Sequence, residues 1–289
     1  MTEVIDSIAA LRARPHGPRL VVMTMGALHE GHLELVRAGR QWFAAQGLSP
    51  AECEVVVTVF VNPLQFPDAT DLAAYPRTLD ADVALCRNEG VDVVFAPSVE
   101  EMYPHGDPVV TIDPGPLGDD LEGAARPGHF RGMLTVVNRL LMLTGPAAAA
   151  FGEKDFQQLA LIRQMVADLL IPVAIVGVPT VREPDLLAMS SRNRRLGAGR
   201  ASAVAIPAAL ERLRTSLAAG AGIDVDAESA SVARWLAAQP GVDSVDYLVV
   251  RSEGLGPAPS GGEARALVAA VVGGVRLLDN VRVTIGEAS

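Results

Sequence analysis

Two of the five histidines fall in one tetrapeptide, His29-Glu30-Gly31-His32, directly after Thr24-Met25-Gly26-Ala27-Leu28. Histidines three apart share one helix face, and at a helix start both rings can donate to a single phosphate group. Zinc is a second chemistry for the pair, but a metal asks for three or four ligands, and neither Cys53 nor Cys86 neighbours the segment. Two surface histidines without a role are a third reading. Lys154, within Phe151-Gly152-Glu153-Lys154-Asp155-Phe156-Gln157-Gln158, is the only lysine among 24 basic residues. A compact, mobile ammonium retained where arginine has replaced every other lysine points to a place a planar guanidinium does not fit; chance survival is the alternative. Asp155 and Gln158 also have the spacing of a helix capping box. Met189-Ser190-Ser191-Arg192-Asn193 sets hydroxyls beside an arginine, which suits polyphosphate oxygens and is also common in solvated turns.

The elements around these clusters alternate. Arg19 to Thr24 reads as a buried strand, Gly31 to Gln46 as a helix, Val55 to Val61 as a strand, Leu79 to Glu89 as a helix and Val91 to Phe95 as a third strand. Met133 to Leu143 and Gln157 to Leu170 are helical, flanked by strand-like Ala147 to Phe151 and Val173 to Val178. Strands separated by helices predict a doubly wound parallel sheet, with the histidines and Lys154 just beyond strand ends. Residues 62 to 128, rich in Pro and Gly, read as long surface loops that could wall a binding site. Beyond about residue 180, helical Ala201 to Ala219 and Asp226 to Ala238 precede strand-like Ser244 to Arg251, Arg265 to Val272 and Val281 to Ile285; Gly220-Ala221-Gly222 and Pro257 to Gly262 read as turns. The expected organisation is an α/β, Rossmann-like domain over 1–180 and a smaller C-terminal α+β domain over 181–289.

With 289 residues and 49% hydrophobic content the chain can bury two cores. A formal charge of -10 argues against a general nucleic-acid binder, which gains affinity from Lys and Arg on phosphates. The longest apolar run, Ala266 to Val275, contains two glycines and is about half the roughly 20 residues that span a bilayer. The N-terminal residues, with Glu3 and Asp6, lack the basic and apolar stretches of a signal peptide, so the expected location is cytoplasmic. Two cysteines do not make a disulfide framework and are read as buried thiols. No Gly-x-Gly-x-x-Gly follows a strand, and a P-loop lysine must follow glycine whereas Lys154 follows Glu153.

Six blocks, taken in order, carry a resemblance: TMGALHEGH (24–32), FVNPLQF (60–66), YPRTLDAD (75–82), RPGHFRG (126–132), FGEKDFQQL (151–159) and VPTVRE (178–183) followed by AMSSRN (188–193). On these the chain resembles the pantothenate synthetase family, the pantoate:β-alanine ligases of the HxGH nucleotidyltransferase superfamily. The resemblance implies a nucleotidyltransferase-type fold and ATP-dependent condensation of pantoate with β-alanine through a pantoyl adenylate, releasing AMP and pyrophosphate. It implies that His29, His32, Lys154 and Arg192 are catalytic. Met25, Gly152, Asp155, Val181, Met189, Ser190 and Ser191 join them in binding ATP, and Met25, Asn62, Gln65 and Gln158 bind pantoate. Mg²⁺ would accompany ATP, with Asp82 as a metal ligand, and the enzyme would be a homodimer.

Three positions depart from the family pattern. Met23 stands where proline is usual, Ala81 where an acidic residue is frequent, and Leu186 where glycine is usual. A non-glycine residue resists positive φ, so the loop bearing Ser190 to Arg192 is expected to be oriented differently. Two other readings remain at this stage: an adenylyl transferase acting on a different acceptor, which Gln65 and Gln158 disfavour, and a nucleotide-binding regulator without catalysis, which intact His29, His32 and Lys154 disfavour.

Overall fold

The computed structural model describes residues 2–15, 17–66, 69–219 and 222–286; the expected turn at Gly220 and Ala221 lies outside them. The chain divides into two compact units, Met1–Gly152 with Leu161–Val178, and Glu153–Ala160 with Pro179–Ser289.

The first unit is built on a six-stranded sheet of β1 (Glu3–Ile5), β2 (Arg19–Thr24), β3 (Glu54–Val59), β4 (Val93–Phe95), β5 (Ala148–Gly152) and β6 (Ala174–Val178). The spatial order is β1-β4-β3-β2-β5-β6 and every pairing is parallel. Parallel sheets are covered on both faces, which explains why β2 and β3 read as continuous apolar runs: Leu20, Val21, Val22 and Val56 are fully buried. The helices are α1 (Ile8–Arg12), α2 (Glu30–Ala45), α3 (Ala69–Ala73), α4 (Leu79–Asn88), α5 (Val99–Met102), α6 (Glu122–Ala125), α7 (His129–Thr144) and α8 (Phe156–Asp168). Helix α2 buries Leu33, Leu35, Val36 and Phe43. Gly39 lets it approach β2 so closely that a Cβ there would stand 2.4 Å from a Leu20 methyl.

The strand order fixes the place of chemistry. From β2 the chain runs outward through β3 and β4, then returns to lay β5 and β6 on the other side of β2. The carboxyl ends of β2 and β5 therefore flank the switch point, where open α/β sheets hold ligands. The chain leaves β2 into the His29–His32 segment and ends β5 at Gly152.

The second unit packs α9 (Ala205–Ala219) and α10 (Val225–Ala237) against an antiparallel sheet of β7 (Val242–Arg251), β8 (Gly262–Val272) and β9 (Val275–Ile285). Ile206, Leu210 and Leu213 on α9, Leu236 on α10, and alternate β8 residues Ala264, Ala266, Val268, Ala270 and Val272 form its core. This is the smaller α+β arrangement expected from the pattern. One segment differs from the division at 180, because Glu153–Ala160 belongs with the second unit. The reason is polar: residues of β8 and β9 hold the Glu153 side chain and the backbone of Glu153 and Lys154.

The interval 62–128 is less irregular than its composition suggests. It contains a 3-10 turn at Pro63–Gln65, helices α3 to α6, the strand β4 and a second 3-10 turn at Pro116–Gly118.

Candidate active site

In the first unit the histidine pair forms the start of α2. His29 is the N-cap, in extended backbone, and its Nδ1 accepts from the Gly31 N–H at 3.2 Å. His32, three residues on, accepts the His29 N–H on its own Nδ1, also at 3.2 Å. This is a reciprocal capping box with imidazoles in both roles. Its chemical consequence is a fixed tautomer: a nitrogen that accepts from an amide carries no proton, so in the neutral rings the proton sits on Nε2. Two half-buried Nε2–H donors, their ring centroids 4.1 Å apart, therefore sit at the positive end of a helix beside the switch point. Among the described residues no group of three or more His, Cys, Asp or Glu could hold a metal ion.

The loop before the histidines is pinned from α4. Asp82, 1% exposed, accepts the Leu28 N–H at 2.8 Å on Oδ1 and the Ala27 N–H at 3.1 Å on Oδ2, and Thr78 Oγ1 donates to Oδ2 at 3.2 Å. The loop turns through positive φ at Gly26 (+82°) and Ala27 (+52°), and a Cβ at Gly26 would lie 3.0 Å from Asp82 Oδ2. Both carboxylate oxygens accept from the loop backbone, each bond of this charged kind contributing about 1.5–3 kcal/mol. In the structure Asp82 is thus a buried anchor for the histidine loop.

A second cluster in the same unit joins three of the residues implied in pantoate binding. Gln65 Nε2 donates to Met25 Sδ at 3.1 Å, and Asn62 Nδ2 donates to Gln65 Oε1 at 3.2 Å. Asn62, 1% exposed, also donates to the Gly132 carbonyl and accepts from Tyr103 Oη at 2.9 Å. Burial pushes the Tyr103 phenol up to about 12, so it stays a donor. The Gln65 carbonyl accepts from His129 Nδ1 at 2.7 Å. Helix α7 comes close enough that a Cβ on Gly132 would stand 2.0 Å from the Leu64 carbonyl oxygen. In the sequence Tyr103 stands out only as a Tyr-Pro dipeptide of the loop interval, and His129 only as a histidine after Pro-Gly inside one of the blocks.

The second unit gathers the cationic residues. After Gly152, which pairs with Val178, a 3-10 turn at Glu153–Asp155 runs straight into α8, so Asp155 lies within a helical turn and not at a cap. Lys154 and Ser190, Arg192 and Asn193 line one cleft. The Lys154 Nζ lies 3.5 Å from Asp155 Oδ1. Gln158 follows one turn along α8 and is half-buried. Val181 and Met189 face each other across a hairpin, the Met189 N–H donating to the Val181 carbonyl at 2.9 Å and Arg182 bridging to Ala188. Ser190 Oγ accepts the Arg192 N–H and caps the 3-10 turn Ser191–Arg195.

At that hairpin a glycine-like conformation is present without glycine. Leu186 adopts φ +71°, the left-handed conformation a glycine would take. The turn is held by the Leu186 N–H on the Glu183 carbonyl, by Arg182 on the Leu186 carbonyl, and by Arg200 on both Glu183 and Asp185. Asn193 and Arg200 hold the Glu183 carboxyl below its usual range, and Arg200 does the same to Asp185. The surroundings impose the conformation, and leucine bears it with its side chain 60% exposed.

The fold and these clusters define a class: a Rossmann-like α/β enzyme with a phosphate-suited histidine cap at the switch point and a small second domain carrying a lysine and a serine–arginine turn. Comparison with known proteins gives the family. The pantoate-beta-alanine ligase family model matches residues 2–282. The chain is 55% identical to the pantothenate synthetase of Nocardia farcinica, over 92% of this chain and 79% of that one, and 50% identical to that of Salinispora arenicola over the whole of both. Among solved structures, the Thermus thermophilus pantothenate synthetase superposes with a TM-score of 0.86 at 45% identity, covering 97% of this chain and 99% of that one. The pantoate-beta-alanine ligase of Francisella tularensis, solved with "Beta-gamma ATP" and β-alanine, superposes with a TM-score of 0.75 at 32% identity and 97% coverage of both. The chain belongs to the pantoate-beta-alanine ligase family, whose members are ligases that form a carbon–nitrogen bond. The family indicated by the six blocks is the one found.

Proposed function

We propose that this chain condenses pantoate with β-alanine in two steps. A pantoate carboxylate oxygen attacks the α-phosphorus of ATP, the bond from that phosphorus to the bridging oxygen breaks, and pyrophosphate leaves. The β-alanine amine then attacks the acyl carbon of the pantoyl adenylate, and AMP leaves with the electron pair of the acyl–oxygen bond. The observation that carries this reading is the double-imidazole cap of α2. Charge accumulates on the phosphorus oxygens in the first transition state, and two Nε2–H donors fixed by backbone contacts meet it without reorganising, each key donor being worth about 2.7–4 kcal/mol.

The other assignments are those the family resemblance implies, and each suits the chemistry of its side chain. Lys154 brings a mobile point charge to the same phosphoryl group. Ser190, Ser191 and Arg192 bind the β and γ phosphates, Gly152 gives the nucleotide close backbone approach, Asp155 accepts from ribose hydroxyls, and Val181 and Met189 lie along the nucleotide. Met25, Asn62, Gln65 and Gln158 bind pantoate. Mg²⁺ enters as the companion of the triphosphate, since the protein offers no carboxylate cluster for it among the described residues. The reading includes a cytoplasmic homodimer. Val109, fully exposed, and Val110, 85% exposed, supply apolar surface for a second copy to cover. No helix among the described residues is long and apolar enough to cross a membrane.

Isotope exchange between pyrophosphate and ATP tests the order of steps. Exchange is expected with ATP and pantoate alone, with β-alanine required only for sustained AMP release. Exchange that appeared only with β-alanine present would overturn the adenylate.

A further inference from the structure

The turn carrying Lys154 is held by residues more than a hundred positions further along the chain. Asn280 on β9, 3% exposed, donates from one amide nitrogen to the carbonyls of Glu153 and Lys154, both at 2.8 Å. Its Oδ1 accepts from Arg265 Nη1 at 3.0 Å. Arg265 on β8, 2% exposed, lies over the Phe156 ring at 4.1 Å and meets Glu153 Oε2 at 3.1 Å and Glu253 at 3.2 Å. Arg282 meets the other Glu153 oxygen at 2.9 Å.

A buried guanidinium and carboxylate are tolerated only with good geometry and further hydrogen bonds. Here the pair is completed by an amide, an aromatic face and a second carboxylate, and the whole set closes around Glu153 and Lys154 of one short turn and Phe156, the first residue of α8. Glu153 and Phe156 lie on either side of Lys154 in sequence and are both buried against arginine; they are the grips by which the turn is held. A lysine has four rotatable bonds, so its ammonium can be brought to a reacting phosphorus only if its backbone is fixed. The turn is a short 3-10 segment, and the Asn280 amide is bonded to its carbonyls from outside the segment.

We infer that Asn280, supported by Arg265, is a positioning residue for Lys154 in adenylate formation. This rests on the reading of Lys154 as a phosphate ligand. The Asn280→Asp variant isolates the contact: aspartate keeps the shape and the acceptor for Arg265, but sets an anionic oxygen against two carbonyls. Asn280→Ala, which removes the donor without adding charge, serves if the aspartate variant does not fold. Single-turnover adenylate formation at saturating ATP and pantoate is measured for wild type, Asn280→Asp, Lys154→Ala and the double variant, with circular dichroism to confirm folding. Asn280→Asp is expected to slow the step about tenfold with the ATP KM within about twofold, the signature of an interaction made in the transition state. In the Lys154→Ala background the same change is expected to cost less than about twofold, because the group it positions is gone. An equal loss in both backgrounds, or a wild-type rate for Asn280→Asp, overturns the inference while leaving the lysine's role intact. A wild-type rate for Lys154→Ala overturns the reading of the lysine and the inference with it.

Discussion

The histidine loop and the lysine turn solve the same problem with opposite polarity. Each is a short, non-repetitive piece of backbone that holds a side chain proposed above to bind phosphate. The histidine loop is held through its N–H groups, which point into a buried anion: Asp82 takes Ala27 and Leu28, and Thr24 Oγ1 takes Gly26 at 3.1 Å. The lysine turn is held through its carbonyls, which accept from the buried Asn280 amide, with Arg265 and Arg282 on its only buried carboxylate. The consequence is electrostatic. Beneath the imidazole donors lies a carboxylate that accepts from the loop amides. Around Glu153, the residue that anchors the ammonium, lie two guanidinium groups, so that carboxylate is engaged by arginine and is not available to tie up Lys154. Fixing a site is therefore also a way of choosing which charges remain available to substrate.

The largest effect expected on this comparison is at the histidines themselves. His29→Ala and His32→Ala remove both an Nε2–H donor and half of the capping box, so adenylate formation should fall about 10² to 10³-fold and stability by about 1 kcal/mol. His32→Gln separates the two contributions, because glutamine at the third helical position can still reach back to the N-cap amide. It should keep the wild-type melting temperature and still lose the rate. A His32→Gln enzyme with normal single-turnover kinetics would leave the histidine as a cap and nothing more.

A smaller loss is expected at the anchor. Asp82→Asn turns one acceptor into a donor that faces an amide N–H or the Thr78 hydroxyl, with a cost of about 1–3 kcal/mol in stability and about tenfold in rate through displacement of the loop. The same variant decides between anchor and metal ligand. A titration of activity against Mg²⁺ should give the wild-type midpoint, since both carboxylate oxygens serve the backbone. A midpoint raised severalfold would return Asp82 to the metal.

What could be read from the sequence divides along the same line. Strands β2, β3 and β5 declare themselves because parallel strands buried on both faces are continuous β-branched or small apolar runs, β6 reads the same way although it is a half-buried edge strand, and the histidine pair is legible because cap and helix are adjacent in sequence. The first strand, Glu3–Ile5, is three residues long and exists only through its pairing with Val93–Phe95. Nothing in its composition requires it. The same holds for Glu153, whose partners lie 112 to 129 positions away. Lys154 could be singled out by its rarity, but what holds it could not be, since an asparagine and an arginine in a C-terminal strand carry no local signal. Asp82 shows a different limit: its hold on the Ala27 and Leu28 amides carries no sequence signal, because a carboxylate that holds backbone looks the same in sequence as one that holds a metal.

The smallest effect is expected where sequence alone suggested a large one. A leucine in the left-handed region costs about 1–2 kcal/mol relative to the ordinary helical conformation, and Leu186 bears that cost at φ +71°. Glycine would remove it, while its greater freedom in the unfolded chain takes back about 0.4–1 kcal/mol. Leu186→Gly should therefore be neutral or stabilising by no more than about 1.6 kcal/mol, a rise of at most about 6 °C in melting temperature for a chain this long. The kinetic outcome follows from the contacts and not from the residue. The hairpin is fixed by Arg182, which also makes a two-pronged pair with the buried Asp279 at 2.7 and 2.9 Å, and by Arg200 on Glu183 and Asp185. None of these involves the Leu186 side chain. The turn that presents Ser190 to Arg192 should keep its shape, so ATP KM and kcat should stay within about twofold of wild type. Calorimetry alongside steady-state kinetics checks both halves. A large change in ATP KM with no change in melting temperature would show that the left-handed leucine, and not the arginine clamps, sets the path of the serine–arginine turn.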